Sequence, residues 1–416
     1  MKIKQSRRPM VRRFHAMLAS TALLGIGVVG TTVLPTGTAM AESRSPVNDP
    51  ITLTLPAPTG PAQVGTVELH LIDSSRPDPW VPSAGDRELM VSIWYPTDAP
   101  DPEAVRAPWI PPNAGEALIA DFAEGSGLPV ENLRLPETAG VLGAPAVSPP
   151  TGHPVVLYSP GSGLSRSMGT SLVQDLASHG YVVVTVDHTY NAGQVEFPDG
   201  RVVLSTELGD DFGHQAEVHA DDLGFVVDAL TEIAEGGNPD AADRELPEGL
   251  GRALNLAELG ILGHSLGGSA AAVALQQDPR FDAAVSLDGP FFGSVIEEGF
   301  DEPFLLFRQS TYEVPTWNDS WDAGWPQLRG DTWQLGLAEG SHNSFSDFQT
   351  FYPQLVDILE LPSDSFTLEV GTIEPAASFA AQQRYSRALF DQELRGIEQP
   401  LLTGPSPEYP QVEFLR

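Results

Sequence analysis

The sequence contains no cysteine. That excludes a disulfide scaffold, a thiolate metal site, a cysteine nucleophile and a lipid-modified N-terminal cysteine. Lysine is almost missing as well: Lys2 and Lys4 are the only two. Six of the 22 basic residues and none of the 56 acidic ones fall in the first 41 positions, so the following 375 residues carry 16 arginines against 56 acids, a net charge of −40. A surface of that sign repels phosphate backbones, which argues against nucleic-acid binding. It stays hydrated, and salt screens its self-repulsion, which predicts a protein that tolerates salt. There is no internal repeat, and no apolar run of transmembrane length after the N-terminal segment. The 416 residues are 41% hydrophobic, enough for one large α/β domain or two ordinary ones.

The N-terminus reads as an export signal. Lys2, Lys4, Arg7, Arg8, Arg12 and Arg13 form a basic region, residues 17–34 are mostly small and apolar, and Ala39-Met40-Ala41 offers a small-x-small cleavage site before Glu42. An uncleaved anchor is the rival reading; Ser20, Thr21, Thr31 and Thr32 interrupt the apolar run and weigh against it. The two Arg pairs leave both the general secretory and the twin-arginine routes open. The expectation is a secreted protein with a signal over 1–41, an extended Pro/Gly-rich lead-in over 42–66 and one catalytic domain over 67–416.

Beyond the lead-in, strand-like and helix-like segments alternate. Residues 66–72 and 88–95 predict an early hairpin, and the Pro/Ala/Gly-rich stretch 96–150 an excursion over the surface. Strands are expected at 153–158, 181–187, 259–262, 281–287, 303–307 and 332–337. Helices are expected at 168–179, 216–233, 266–277 and 376–394. The acidic stretch 235–251 reads as an insertion or flexible loop. Short buried strands alternating with helices predict an α/β fold, with a mostly parallel sheet covered on both faces.

The most specific signal is Gly263-His264-Ser265-Leu266-Gly267-Gly268. A serine between a short strand and a helix sits on a tight turn, and the flanking glycines let backbones approach without a Cβ clash. Ser265 is therefore the candidate nucleophile, at a helix N-terminus that favours developing negative charge. A serine at its own pKa needs a base and a carboxylate to orient that base. The chain order of such sheets is serine, acid, histidine. His342 is the only histidine after residue 265, in the polar loop Gly340-Ser341-His342-Asn343-Ser344. Asp288 ends an apolar strand at the same sheet edge. Asp282 and Asp301 fall at the opposite end, and Asp187 precedes the serine and reads as a loop-capping residue. An oxyanion hole needs two backbone N–H groups. Leu266 supplies one. The turn Ser159-Pro160-Gly161-Ser162-Gly163 supplies the other, with Ser162 favoured because Pro160 has no N–H to donate.

Other residues read more blandly. His188 is expected to be structural rather than pocket-lining, and His264 to pack away from the elbow. His214 and His219 are five apart with no third ligand in view, so no metal site is expected. Trp317, Trp321 and Trp325 recur every four residues and predict one packed helical face.

With these residues in view, the chain resembles the platelet-activating-factor acetylhydrolase family of α/β-hydrolases and its secreted bacterial esterase and lipase relatives, from about residue 65 to the C-terminus. The match includes His70-Leu71-Ile72-Asp73, Arg76-Pro77-Asp78-Pro79-Trp80, Arg87-Glu88-Leu89-Met90, Trp94-Tyr95-Pro96, Ser178-His179-Gly180-Tyr181 and Val186-Asp187-His188. The serine elbow, Leu287-Asp288-Gly289 and Ser341-His342 complete it. The resemblance implies an α/β-hydrolase fold and metal- and cofactor-independent hydrolysis of short or oxidised acyl chains on a phospholipid-like or other soluble ester. It gives Ser265, Asp288 and His342 the triad roles, and Ser162 and Leu266 the oxyanion N–H groups. The chain departs from mammalian members at Pro160, where they have histidine, and at Ser162, where they have leucine. Two rivals remain: a triacylglycerol lipase or cutinase-like polyester hydrolase, and a catalytically dead binding module.

Overall fold

The computed structural model describes residues 50–98, 103–130 and 132–416. The export-signal reading for 1–41 lies outside the described residues.

Eleven strands among the described residues form one mixed sheet. In chain order they are β1 (Gln63–Pro77), β2 (Asp86–Thr97), β3 (Arg106–Pro108), β4 (Glu137–Leu142), β5 (His153–Ser159), β6 (Val182–Asp187), β7 (Leu254–His264), β8 (Ala283–Leu287), β9 (Phe304–Gln309), β10 (Thr332–Leu337) and β11 (Val412–Phe414). Their spatial order is β11-β10-β9-β8-β7-β5-β6-β2-β1-β4-β3. The run from β6 through β5, β7, β8, β9 and β10 is parallel. The β1–β2 hairpin and β11 pair antiparallel to it.

All six residues of β6 are buried, because helices cover both faces of the sheet. Alternate side chains therefore enter two separate cores. Val155 and Leu157 face α3 (Phe212–Ala234) and α4 (Leu266–Gln277). Val156 and Tyr158 face α2 (Thr170–Ser178) and α7 (Pro375–Glu393). The period of two along each strand makes this division. From β5 the chain steps to β6 on one side and then returns to β7 on the other. The carboxyl ends of β5 and β7 thus flank a topological switch point, where open α/β sheets bind their ligands.

Two expectations need correction. The stretch 96–150 is not merely a surface excursion. It contains α1 (Pro112–Ser126) and the strands β3 and β4 that extend the sheet edge, and Trp109, Ile110 and Val130 are buried. Within the lead-in, Ile51 and Leu53 are buried, and β1 starts at Gln63. The acidic stretch 235–251 is pinned rather than loose. Buried Asp240 accepts the backbone N–H of His70 at 2.8 Å and holds Arg244 Nη2 at 2.6 Å.

Candidate active site

Ser265 joins β7 to α4 with φ +55°. A non-glycine residue there is strained by about 1–3 kcal/mol, which the surroundings must over-determine. They do so by close approach. A Cβ on Gly263 would sit 2.1 Å from the Gly267 carbonyl oxygen, and one on Gly267 2.0 Å from the Ser159 carbonyl oxygen. The backbone N–H of Ser265 donates to Leu287 O on β8 at 2.8 Å. The bend is thereby tied to its neighbouring strands, and the side chain is left partly open to solvent.

The structure brings Ser265, His342 and Asp288 together. His342 Nε2 lies 3.0 Å from Ser265 Oγ, and its Nδ1 lies 2.7 Å from Asp288 Oδ2. Asp288 follows β8 with φ +56° and is fully buried. Its other oxygen accepts the backbone N–H of Gln309 at 3.0 Å. His342 opens a short 3₁₀ turn, His342–Phe345, closed by a reciprocal capping box between Ser341 and Ser344. Ser341 Oγ donates to Leu368 O at 2.6 Å, and Gln382 Nε2 to Ser344 O at 2.9 Å. These bonds fix the loop from which the imidazole projects.

The turn after β5 runs beside the serine. A Cβ on Gly161 would lie 3.1 Å from Ser265 Cβ. Within this turn Leu164 N donates to Gly161 O at 3.0 Å, and Gly163 N to Asn191 Oδ1 at 3.3 Å. No acceptor among the described residues takes the N–H of Ser162 or of Leu266. Leu266 is the first residue of α4, where helical N–H groups have no intrahelical acceptor.

Some residues have more contact with the site than sequence reading suggested. His264 does not point away. Its Nε2 donates to His342 O at 3.0 Å, and burial together with the nearby His342 holds it neutral, well below the usual histidine range. Trp317 is more than packing: its ring centroid lies 5.0 Å from that of His342. Trp321 donates from Nε1 to Gly289 O at 2.9 Å, just beyond Asp288. Asp347 is a further residue of this region that the sequence pattern does not mark. It is fully buried, accepts from Trp109 Nε1 at 2.7 Å, and its own N–H donates to Met168 O at 2.7 Å. Its neighbour Phe348 opens α6 (Phe348–Ile358). Proximity of Asp347 to His342 in the chain was the available signal. Asp187 caps the loop as read, accepting the N–H of Arg166 at 2.6 Å. His214 is exposed against Trp80, whereas His219 is buried against His188, so the pair does not converge. Among the described residues no helix is long and apolar enough to cross a membrane.

Comparison with known proteins gives consistent results. The family model for platelet-activating factor acetylhydrolase, isoform II, matches residues 51–197 and 227–398. A probable 1-alkyl-2-acetylglycerophosphocholine esterase from Arthroderma benhamiae is 31% identical over 398 residues, covering 88% of this chain and 95% of that one. The platelet-activating factor acetylhydrolase of Canis lupus familiaris is 26% identical over 184 residues, 39% of this chain and 41% of its own. Among solved structures, a ferulic acid esterase from Streptomyces cinnamoneus superposes with a TM-score of 0.72 at 36% identity, covering 88% of this chain and all of that one.

Proposed function

The chain belongs to the isoform II family of platelet-activating factor acetylhydrolases and is a carboxylic ester hydrolase with the α/β-hydrolase fold, and from that premise we propose that Ser265 is its nucleophile, His342 its general base and Asp288 the group that orients the base. What supports this assignment is the unbroken hydrogen-bond chain from Ser265 Oγ through His342 to Asp288, at 3.0 and 2.7 Å. Ser265 Oγ attacks the ester carbonyl carbon while its proton passes to His342 Nε2. Asp288 accepts from Nδ1 and stabilises the imidazolium. The N–H groups of Leu266 and Ser162 hold the tetrahedral oxyanion. The intermediate collapses, the alcohol leaves with the proton from His342, and Ser265 is acylated. Water then gives a proton to His342 and attacks the acyl carbon, releasing the acid and restoring the serine. The scheme calls on no cofactor.

For the substrate, the favoured reading is a short acyl group on a phospholipid-like ester, in line with the Arthroderma relative, a probable 1-alkyl-2-acetylglycerophosphocholine esterase. A second reading is an aromatic acyl group. The ferulic acid esterase likeness and the Trp317 ring beside His342 favour it. The test is kcat/KM for acetyl, butyryl and long-chain nitrophenyl esters, a short-chain phosphatidylcholine and methyl ferulate. A steep fall beyond short acyl chains, with methyl ferulate poor, fits the first reading. Preference for methyl ferulate, lost in Trp317→Ala, fits the second. Preference for long chains contradicts both.

We also propose that residues 1–41 direct export. The chain expressed with its own leader should appear outside the cell with Glu42 as its N-terminus; retention in the cell at full length would overturn this.

A further inference from the structure

A second set of serine, histidine and aspartate lies directly behind the turn after β5. Ser159 Oγ is 2.9 Å from His188 Nε2, and His188 Nδ1 is 2.9 Å from Asp222 Oδ2. All three side chains are buried. Asp222 is also held by Arg87, through Nη2 at 2.6 Å and Nε at 3.1 Å, and by Arg76 Nη2 at 2.5 Å. A carboxylate fixed by two guanidiniums can only accept from His188, so Nδ1 carries the imidazole proton. Nε2 then offers a lone pair, and the Ser159 hydroxyl donates to it. The ring plane is fixed as well: His219 stacks on His188 at 3.5 Å and 8°.

Ser159 is too enclosed to meet a substrate, but its backbone occupies a sensitive place. It faces Gly263 in register on β7. Its carbonyl oxygen presses against Gly267 in the first turn of α4, where a Cβ would come within 2.0 Å. Ser162 follows three residues later. The segment that carries His188 grips the same turn a second time. Asn191 Nδ2 donates to Gln215 Oε1 at 3.1 Å, which turns its Oδ1 toward the N–H of Gly163 at 3.3 Å. Gly193 packs so near Gly163 that a Cβ would fall 2.6 Å from the Gly163 carbonyl oxygen.

We infer that Ser159, His188 and Asn191 are positioning residues for the oxyanion N–H of Ser162, gripping the turn on either side of it, with Arg87 and Asp222 holding His188 in the required tautomer. This rests on the oxyanion role given to Ser162 and Leu266 above. The turn has no regular structure of its own, so its distance from the elbow depends on what braces it. A displacement of about 1 Å in such a site costs roughly 10²-fold in rate.

The experiment uses the full-length protein in four forms: wild type, Ser159→Ala, Asn191→Ala and, as the control on the underlying assignment, Ser265→Ala. Each is assayed for kcat and KM on p-nitrophenyl acetate, for inhibition by a boronic acid that forms a tetrahedral adduct on the serine, and for melting temperature. The expected result for Ser159→Ala is a kcat lower by about 10²-fold with KM within about threefold, and boronate inhibition weakened by a factor similar to the loss in kcat/KM. Asn191→Ala should move the same quantities in the same direction, and it carries the test if Ser159→Ala does not fold. An unchanged kcat in both variants overturns the inference. So does a kcat loss with boronate affinity intact, since that is what a general structural defect gives. If Ser265→Ala keeps its activity, the underlying assignment has failed instead, a result the Ser159 and Asn191 variants cannot mimic.

Discussion

Two Ser–His–Asp chains lie back to back in this molecule, with nearly the same geometry and different surroundings. In one, Ser265, His342 and Asp288 are linked at 3.0 and 2.7 Å. In the other, Ser159, His188 and Asp222 are linked at 2.9 and 2.9 Å. Distances alone do not distinguish them; their surroundings do. Ser265 sits on a strained bend with φ +55° and is partly open, and the adjacent N–H of Leu266 has no acceptor among the described residues. Ser159 ends a regular strand and is fully enclosed. The His342 side chain is 19% exposed, whereas that of His188 is 1% exposed. Burial holds His188 below the usual histidine range, and the Arg87 charge adds to that, against the pull of Asp222. An imidazole in that setting resists taking a proton. Access, a bent backbone and spare N–H groups are therefore what distinguish the chain proposed to react from the chain proposed to brace.

The largest contrast should come from the two serines. Ser265→Ala is expected to lower kcat by about 10⁶-fold, against about 10²-fold for Ser159→Ala, both read by steady-state hydrolysis of p-nitrophenyl acetate. Equal losses would erase the distinction between the two chains. Next come the acids. Asp288→Asn should lower kcat by about 10⁴-fold, because the imidazole loses its tautomer, with little change in stability. Asp222→Asn should lower kcat no further than Ser159→Ala does, but cost roughly 3–5 kcal/mol of folding free energy, because buried Arg87 loses a charged partner; urea unfolding measures it. A smaller effect is expected from Gly161→Ala. Its Cβ would meet Ser265 Cβ at 3.1 Å and His264 Nδ1 at 3.3 Å, so the turn must shift, and kcat should fall by about tenfold.

A third buried carboxylate sharpens the comparison, because it has no guanidinium beside it. Burial pushes Asp347 up to about 7 from 3.8, although Ser171 and Trp109 donate to it. Asp222 is buried just as deeply, yet it stays well below the usual range because Arg87 and His188 offset the cost. Between 3.8 and about 7 the folded protein holds a proton on Asp347 that the unfolded chain has released. Stability from this group is therefore lost as pH rises through that window. Asp347→Asn removes the titration. Its unfolding free energy relative to wild type should rise steadily from about pH 4 to about pH 7, and a flat difference would show that Asp347 does not titrate there.

The meeting of Ser265, His342 and Asp288 was legible in the sequence because local chemistry marks each member. The bend needs Gly263 and Gly267 for backbone contact and Gly268 for the close approach of Ser286 Oγ, and those residues stand out beside Ser265. His342 is the only histidine after the serine, and Asp288 closes an apolar strand. The sheet was legible wherever strands are buried on both faces, as at β6, and the reading of 266–277 and 332–337 coincides with α4 and β10. The bracing chain was not legible. Ser159, His188 and Asp222 are separated by 29 and 34 positions; His188 reads as structural, as it is, but nothing local names its partners. The sheet edge at 106–142 was missed for a related reason. β3 has three residues, and β4 reads Glu-Thr-Ala-Gly-Val-Leu, so the pairing of β4 with β1 and of β3 with β4, rather than side-chain pattern, makes them strands. Trp317 shows the limit from the other side: its spacing predicted a packed helical face on α5 (Pro315–Gly324), but not contact with His342.

The most direct test of which serine reacts is covalent labelling of the native full-length protein with a fluorophosphonate, followed by mapping of the modified peptide. The account predicts a single adduct on Ser265, formed at a much lower rate in His342→Ala and absent in Ser265→Ala. An adduct on Ser159, or persistent ester hydrolysis by a Ser265→Ala protein that no longer labels, would contradict it.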